Sequence, residues 1–532
     1  ALGVRRKHPG EEGMRLRLPR RSLAAVAALA ASLIVTSSAF AIDEVNTKKL
    51  RKNVTVNGIL QHERAFQSIA NMNGGTRASG TAGYDASAAY VTRRLRQAGY
   101  RVRQQEFEFV FFEELADPQL QQVSPNQKDY ETATFSFSGS GDVTAPLQEV
   151  NDNQFPPPAQ PGSTAGCEPE DFTGFTAGNV ALIQRGSCTF AQKAENAEQA
   201  GASAVIIFNE GQPGRTDVVA GTLGGDSDIQ IPVVGASFAD GEELHNLLEA
   251  GEVTVHVFTS TVKEPRETVN VLADSRSGDS DQTVVVGAHL DSVLEGPGIN
   301  DNGSGSATIL EIAEELDELG KKFDRKQRRK LRFAFWGAEE NGLIGSEHYV
   351  EQLGPRRIGD IYANLNFDMV GSPNYVRFVY DGDGSDSEPA GPPGSAQIEA
   401  IFNQYFASQG QETDPTPFNG RSDYGPFIAV GIPAGGLFTG AEGIKTAEQA
   451  AVYGGTAGIA YDPNYHQAGD TINNLSTKAL SEMSDGAADA TLTVARSKTG
   501  FFEDGSRVKG SRKKKGKKKV KSRTFEGPHA KR

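Results

Sequence analysis

Val284-Val285-Val286-Gly287-Ala288-His289-Leu290-Asp291-Ser292 is a β-branched run that ends on a histidine and an aspartate. A short apolar run bounded by turn-forming residues reads as a buried strand. Its polar end puts His289 and Asp291 just past the strand, where open α/β sheets place their sites. Working outward, Val269-Asn270-Val271-Leu272 is a similar run upstream. Gly303 to Leu319 follows as a helix with Ile309, Ile312, Leu316 and Leu319 on one face, and Leu331 to Trp336 is another buried strand. This alternation predicts the α/β class, a domain built on a largely buried central sheet.

Other strand ends repeat the chemistry. Asp301 stands in the Gly-rich stretch Gly298-Ile299-Asn300-Asp301-Asn302-Gly303-Ser304-Gly305, which opens the predicted helix. Glu339 and Glu340 follow the strand Leu331 to Trp336. Asp368 follows a further strand in Asn366-Phe367-Asp368-Met369-Val370, and His466 lies in a late loop, Asn464-Tyr465-His466-Gln467. Two histidines and several carboxylates on converging strand ends suit zinc. One histidine or aspartate at a strand end is more often structural, but five such positions in one domain argue for a metal centre. His8, His62, His245, His256, His348 and His529 lack such company.

Residues 60–100 carry helical spacing, with Gly99 as a C-cap, and Arg101 to Val110 reads as a strand. Residues 137–165 are dominated by Gly, Ser, Asp, Asn and Pro and read as a loop or domain boundary. From Cys167 to about Thr259 the pattern is again α/β: Val180 to Ile183, Ala204 to Phe208 and Ile231 to Val234 as strands, Phe190 to Ala200 as a helix. Cys167 and Cys188 are the only cysteines. In an exported chain a disulfide between them is the expectation, with two buried thiols as the alternative. The stretch Asp381 to Gly394 reads as a flexible surface loop.

Two resemblances follow from these motifs. Gly186-Ser187-Cys188-Thr189-Phe190, the helix containing Lys193, and Ala200-Gly201-Ala202 with the next strand resemble the protease-associated domain, a non-catalytic module. His289-Leu290-Asp291, Gly298 to Gly305, Ala338-Glu339-Glu340, Asn366-Phe367-Asp368-Met369 and Tyr465-His466-Gln467-Ala468 resemble, in order and spacing, the secreted bacterial dizinc aminopeptidases. That zinc-exopeptidase family also includes glutamate carboxypeptidase and the transferrin receptor. Arg77 to Tyr100 resembles its N-terminal helix.

The resemblances imply a three-layer α/β/α domain with a mixed central sheet, a small inserted protease-associated α/β domain, and two zinc ions. His289 and Asp368 would hold one, Glu340 and His466 the other, and Asp301 would bridge them. Asp291 would orient the His289 imidazole, as carboxylate partners of ligating histidines do. Glu339 would be the general base for a hydroxide shared by the zincs. Tyr465 is placed to donate to the oxyanion, with a packed aromatic as the alternative. Arg421, in Gly420-Arg421-Ser422-Asp423-Tyr424, resembles a position near the substrate's amino end, with a surface ion pair as its alternative. Some relatives bracket the Tyr-His-Gln motif with cysteines; Asn464 and Gly469 stand there instead, so other contacts must hold the loop. No calcium site is assigned.

The chain has 532 residues, enough for two or three domains, and a net charge of −14. Residues 1–41 and 506–532 are basic; residues 42–505 carry 34 basic and 65 acidic residues. Such an acidic body repels nucleic acid and keeps a protein soluble. From Met14, the basic Arg15, Arg17, Arg20 and Arg21, the apolar Leu23 to Val35 and Ala39-Phe40-Ala41 read as an export signal cleaved after Ala41, with an uncleaved anchor as the alternative. Residues 1–13 would lie upstream of it. No other stretch is long and apolar enough for a membrane span. The lysine run from Arg512 to Lys519 is a solvated tail, or one that touches anionic surfaces weakly.

The expected organisation is an N-terminal peptidase segment over 42–140, an inserted domain over 141–259, a catalytic segment over 260–500 and a basic tail over 501–532. The expected activity is secreted removal of N-terminal, apolar residues from peptides with a free N-terminus. A carboxypeptidase of the same fold, which needs a basic pocket, and a metal-free binding protein are the alternatives.

Overall fold

The computed structural model describes residues 44–225, 227–320 and 326–501. The expected export signal and basic tail lie outside these residues. Among the described residues no helix is long and apolar enough to cross a membrane. The strands are β1 (Arg101–Ser124), β2 (Lys128–Tyr130), β3 (Ala133–Thr134), β4 (Gly141–Glu149), β5 (Val180–Gln184), β6 (Ala204–Phe208), β7 (Val233–Ala236), β8 (Thr254–Asp274), β9 (Asp279–His289), β10 (Arg329–Trp336), β11 (Ile361–Phe367), β12 (Phe378–Tyr380), β13 (Asp414–Thr416) and β14 (Ala434–Phe438).

They join in the order β13-β12-β14-β11-β9-β10-β8-β4-β5-β6-β7-β3, with β1 on β8 and β2 on β1. The centre of the peptidase half, β14-β11-β9-β10, is parallel, with antiparallel β12 and β8 at its flanks. Alternation along β9 and β10 sorts their side chains between two cores. Val284, Val286, Leu331, Phe333 and Phe335 face the core shared with helices Val56–Met72, Gly305–Glu318 and Thr477–Arg496. Val285, Ala334 and Trp336 face the core shared with Ile344–Glu351 and Gly425–Ala429. The sheet is thus covered on both faces, and the Gly305–Glu318 helix, expected to be buried along one stripe, is buried nearly all round its first three turns.

The insert is a second α/β unit on the same continuous sheet. Val180, Leu182 and Ile206 line one of its cores and Ala181, Ile183 and Val205 the other. Phe190–Gln199 covers one face and Phe238–Ala250 the other. A disulfide joins Cys167 to Cys188, and the residue after Cys188, Thr189, caps the Phe190–Gln199 helix by accepting the Gln192 N–H.

Three expectations need correction. The strand beginning at Arg101 runs to Ser124, well past Val110, because β8 pairs with it along its whole length. Its register slips around Ala116 and Gln119, where Pro118 has no N–H for the ladder. Residues 137–165 are not all loop: β4 lies within them, its polar composition reflecting half-exposed faces. Asp381 to Gly394 is not a loose surface loop at its start. Asp381 is fully buried, and its carboxylate accepts the N–H groups of Gly384, Ser385, Asp386 and Ser387. Local hydrogen bonding to a short acidic side chain is a turn device that composition hides.

Candidate metal centre and active site

Three adjacent parallel strands deliver most of the site. β9 ends on His289, β10 stops at Trp336 just before Glu339 and Glu340, and β11 stops at Phe367, before Asp368. Asp301 comes from the turn Ile299–Ser304 at the head of the Gly305–Glu318 helix. His466 comes from the loop before helix Thr477–Arg496. Ala338, Met369 and His466 are left-handed, at φ of 52°, 50° and 56°. For residues with side chains such conformations cost about 1–3 kcal/mol each and persist only where the surroundings dictate them. The Ala338 N–H donates to Ser79 Oγ (2.7 Å) and the Met369 N–H to Asn302 Oδ1 (3.1 Å), which fixes both kinks.

Asp301 stands between the histidines. Its Oδ1 is 3.2 Å from His289 Nε2 and its Oδ2 3.2 Å from His466 Nε2. On the far side of His289, Asp368 Oδ1 is also at 3.2 Å; on the far side of His466, Glu340 Oε2 is at 3.1 Å. Glu339 Oε2 lies 3.9 Å from His289 Nε2. All five metal candidates from the sequence and Glu339 are therefore brought together. Asp291 does two things. Its carbonyl lies 3.2 Å from His289 Nδ1 and its carboxylate 3.7 Å away, so the main chain is the nearer partner. Its two carboxylate oxygens accept the N–H groups of Glu339 and Glu340, at 3.3 and 3.4 Å.

The groups titrate abnormally for clear reasons. Burial lowers His289, but Glu339 and Asp368 outweigh it and hold its pKa well above the usual value. Burial also opposes His466, which Glu340 and Asp301 carry up to about 11. Burial pushes Glu340 up to about 7 and Glu339 well above the carboxylate range. Asp301 goes the other way: burial raises it, yet hydrogen bonds from both histidines win and lower it.

The donor set fits zinc. Ligands about 2.0–2.2 Å from a tetrahedral ion lie roughly 3.3 Å apart, which is the spacing of both His–carboxylate groups. His289, Asp301 and Asp368 form one group with ligand atoms mutually within 4.8 Å, and Asp301, Glu340 and His466 another. Glu340 Oε1 is buried with no hydrogen-bond partner among the described residues, and an orphaned buried carboxylate oxygen is costly unless a cation meets it.

A pocket of about 90 Å³ opens over the cluster, lined also by Met369, Tyr380, Pro417, Phe438 and Ala441. Tyr465 and Arg421 line it too. The Tyr465 ring stacks on His466 with centroids 3.9 Å apart, and Arg421 reaches its hydroxyl at 3.4 Å. Arg421 also pairs with Glu442 at 2.6 Å, so the one Lys or Arg among the described residues that line the pocket is already partnered. That is not the basic pocket a carboxypeptidase needs.

Several supporting residues were not singled out from the sequence. Asp470 accepts the N–H groups of Asn300 (2.8 Å) and Asp301 (2.9 Å). Ser422 donates to Asp368 Oδ2 at 2.6 Å. Asp423 is buried near Glu339, its carboxyl pushed up by that burial to about 8. In place of a cysteine bracket, the Asn464 N–H donates to Asp462, its side chain donates to Asn474, and the same side chain fills the space beside Gly469. Proximity to the motifs was the only signal for these residues.

A cluster of His and carboxylate ligands, buried or nearly so except for the half-buried His466, at the parallel strand ends of an α/β/α sheet defines a metallopeptidase of the exopeptidase type. Residues 270–491 match peptidase family M28, and residues 143–244 match the PA domain. The aminopeptidase of Pseudomonas aeruginosa strain UCBPP-PA14 is 45% identical over 453 residues, covering 84% of this chain and 82% of its own. The probable leucine aminopeptidase 2 of Aspergillus fumigatus is 40% identical, covering 79% of each. Among solved structures, the aminopeptidase from Aneurinibacillus sp. strain AM-1 is 27% identical with a TM-score of 0.66, covering 85% of this chain and 96% of that one. BSAP, a zinc aminopeptidase from Bacillus subtilis, is 27% identical with a TM-score of 0.57, covering 83% and 94%. The chain belongs to peptidase family M28, with a PA domain inserted in the peptidase fold.

Proposed function

We propose that this chain, a zinc-dependent aminopeptidase, holds two zinc ions and releases N-terminal, apolar residues from peptides outside the cell. One observation carries the two-zinc reading: the two oxygens of Asp301 are equidistant from His289 and His466, and each histidine has a further carboxylate at 3.1–3.2 Å. His289 and Asp368 would hold one ion, His466 and Glu340 the other, and Asp301 would be shared by both. Bound zinc would lower the pKa of a water between the two sites and polarise the scissile carbonyl.

The chain's own groups do the rest. Glu339 faces the pocket. It could join His289 and Glu340 in a third ligand group, but it stands 3.9 Å from His289 Nε2, where Asp301 and Asp368 are at 3.2 Å. It takes the water's proton and delivers it to the leaving amine. Asp291 fixes the Glu339 and Glu340 amides and backs His289. The Tyr465 hydroxyl donates to the carbonyl oxygen as charge builds there, and Arg421 positions that hydroxyl. Asp368 and Glu339 receive the substrate's free amino group, and Arg421 stands beside it at the pocket wall. Met369, Tyr380, Pro417 and Phe438 favour an apolar first side chain, and the name of the Aspergillus relative points the same way. Export rests on the pattern from Met14 to Ala41. The domain boundaries at 140, 259 and 500 follow from composition, and the basic run from Arg512 is a solvated tail, with weak contact to anionic surfaces as the second reading.

The test compares one apolar peptide with its N-acetylated form on the purified holoenzyme. Only the free peptide should be cleaved. Equal cleavage of both would overturn the aminopeptidase reading.

A further inference from the structure

Arg77 lies in the turn between helices Val56–Met72 and Ala82–Gln97, and it is fully buried. Its guanidinium reaches three main-chain carbonyls. Nη1 donates to Leu290, the residue between His289 and Asp291. Nε donates to Pro297 at 2.8 Å and Nη2 to Gly298, at the start of the Asp301 turn. The Arg77 N–H donates to Ser292 Oγ at 2.9 Å, and that hydroxyl lies 3.0 Å from the Gly296 carbonyl, to which it can donate.

The packing leaves no slack. Gly298 has φ +60°, and a Cβ there would meet Ser292 Cβ at 2.3 Å and Arg77 Nη2 at 3.2 Å. A buried cation is costly unless it is paired and hydrogen-bonded. Burial lowers the Arg77 pKa, and Glu63, Asp470, Asp291 and Asp301 offset that cost, Glu63 most. A fold that needed only a filled cavity here would place a methionine or leucine. The planar fork, with donors aimed at separate backbone segments, is what arginine supplies and lysine does not.

We propose that Arg77 is a positioning residue of the metal centre, tying the strand end that carries His289 to the turn that carries Asp301. It touches neither substrate nor any metal ligand's side-chain donor atom. It sets the separation of two ligands that both belong to the His289–Asp301–Asp368 group. The Glu340–His466 group shares only Asp301 with it, so the two groups respond unequally when the brace is removed. The inference rests on the two-zinc reading above.

The test measures zinc affinity by chelator competition and folding by circular dichroism in wild type, Arg77→Lys and Arg329→Lys. Arg329 is another buried arginine, 4% exposed against 0% for Arg77, and donates to the Val494 and Ser497 carbonyls, away from the site. Arg77→Lys should weaken one of two zinc ions by roughly 10–100-fold, the usual effect of losing a partner behind a ligand, and lower kcat with KM little changed. Arg329→Lys should lower the melting temperature with zinc affinity unchanged. If Arg77→Lys does not accumulate folded, Ser292→Ala replaces it and should weaken zinc in the same direction. Wild-type zinc affinity in a folded Arg77→Lys, or in Ser292→Ala where that variant stands in, would overturn the inference and reduce Arg77 to a structural role. Wild-type protein that binds no zinc would overturn the site reading itself, a separately visible result.

Discussion

Asp301 offers one oxygen to each histidine at the same 3.2 Å, whereas Glu339 stands farther off, at 3.9 Å from His289. Substitutions at these positions should therefore separate metal binding from turnover. Glu339→Gln should retain wild-type zinc by elemental analysis and lose about 10²–10⁴-fold in kcat; His466→Ala should lose one zinc together with turnover. Unchanged kcat in Glu339→Gln would remove it as the base. The pKa shifts give a second prediction. Zinc takes neutral imidazole and ionised carboxylate. Without zinc, His466, carried up to about 11, is protonated at pH 7 and Glu340, at about 7, is partly so, while Glu339 and Asp368 outweigh burial and shift His289 in the same upward direction. Zinc binding at pH 7 must then release protons, and affinity must strengthen from pH 6 to 8. A weakly buffered titration with a pH indicator measures this, and no proton release would contradict it. The ligands were legible in the sequence because each follows a strand or opens a helix at a recognisable motif. Asp470 and Ser422 were not, because their partners are backbone groups and side chains far away in sequence.

The long antiparallel pair β1–β8 is the element that joins the two halves. β8 pairs with β4 of the insert near its start and with β10 of the peptidase sheet near its end. Phe107, Phe109 and Phe111 of β1 pack against Ala338, directly before Glu339. The full length of β1 was not legible: past Val110, the adjacent Glu113 and Glu114 and then Pro118 mask a strand held by its partner rather than by its own propensity. Within the insert, the disulfide closes a segment with a sequence separation of 21. A closed loop of that size is worth about 3 kcal/mol in the chain-entropy account. Replacing both cysteines with serine should destabilise the insert by about that amount in urea melts and leave the zinc content unchanged. Loss of zinc together with the disulfide would show that the insert supports the metal centre directly.

Over the whole molecule, the α/β/α class and the inserted second unit were legible because buried strands and amphipathic helices alternate through both. That the two units share one sheet was not, since sheet order depends on pairings no local pattern encodes. The same sheet brings His289, the Glu339–Glu340 pair and Asp368 to one edge from three neighbouring strands, and the central claim is that this edge holds two zinc ions bridged by Asp301. Anomalous diffraction at the zinc edge from crystals of the zinc-loaded protein tests it most directly. Two peaks are expected, one among His289, Asp301 and Asp368 and one among Asp301, Glu340 and His466. A single peak, or a second one away from Asp301, would contradict it.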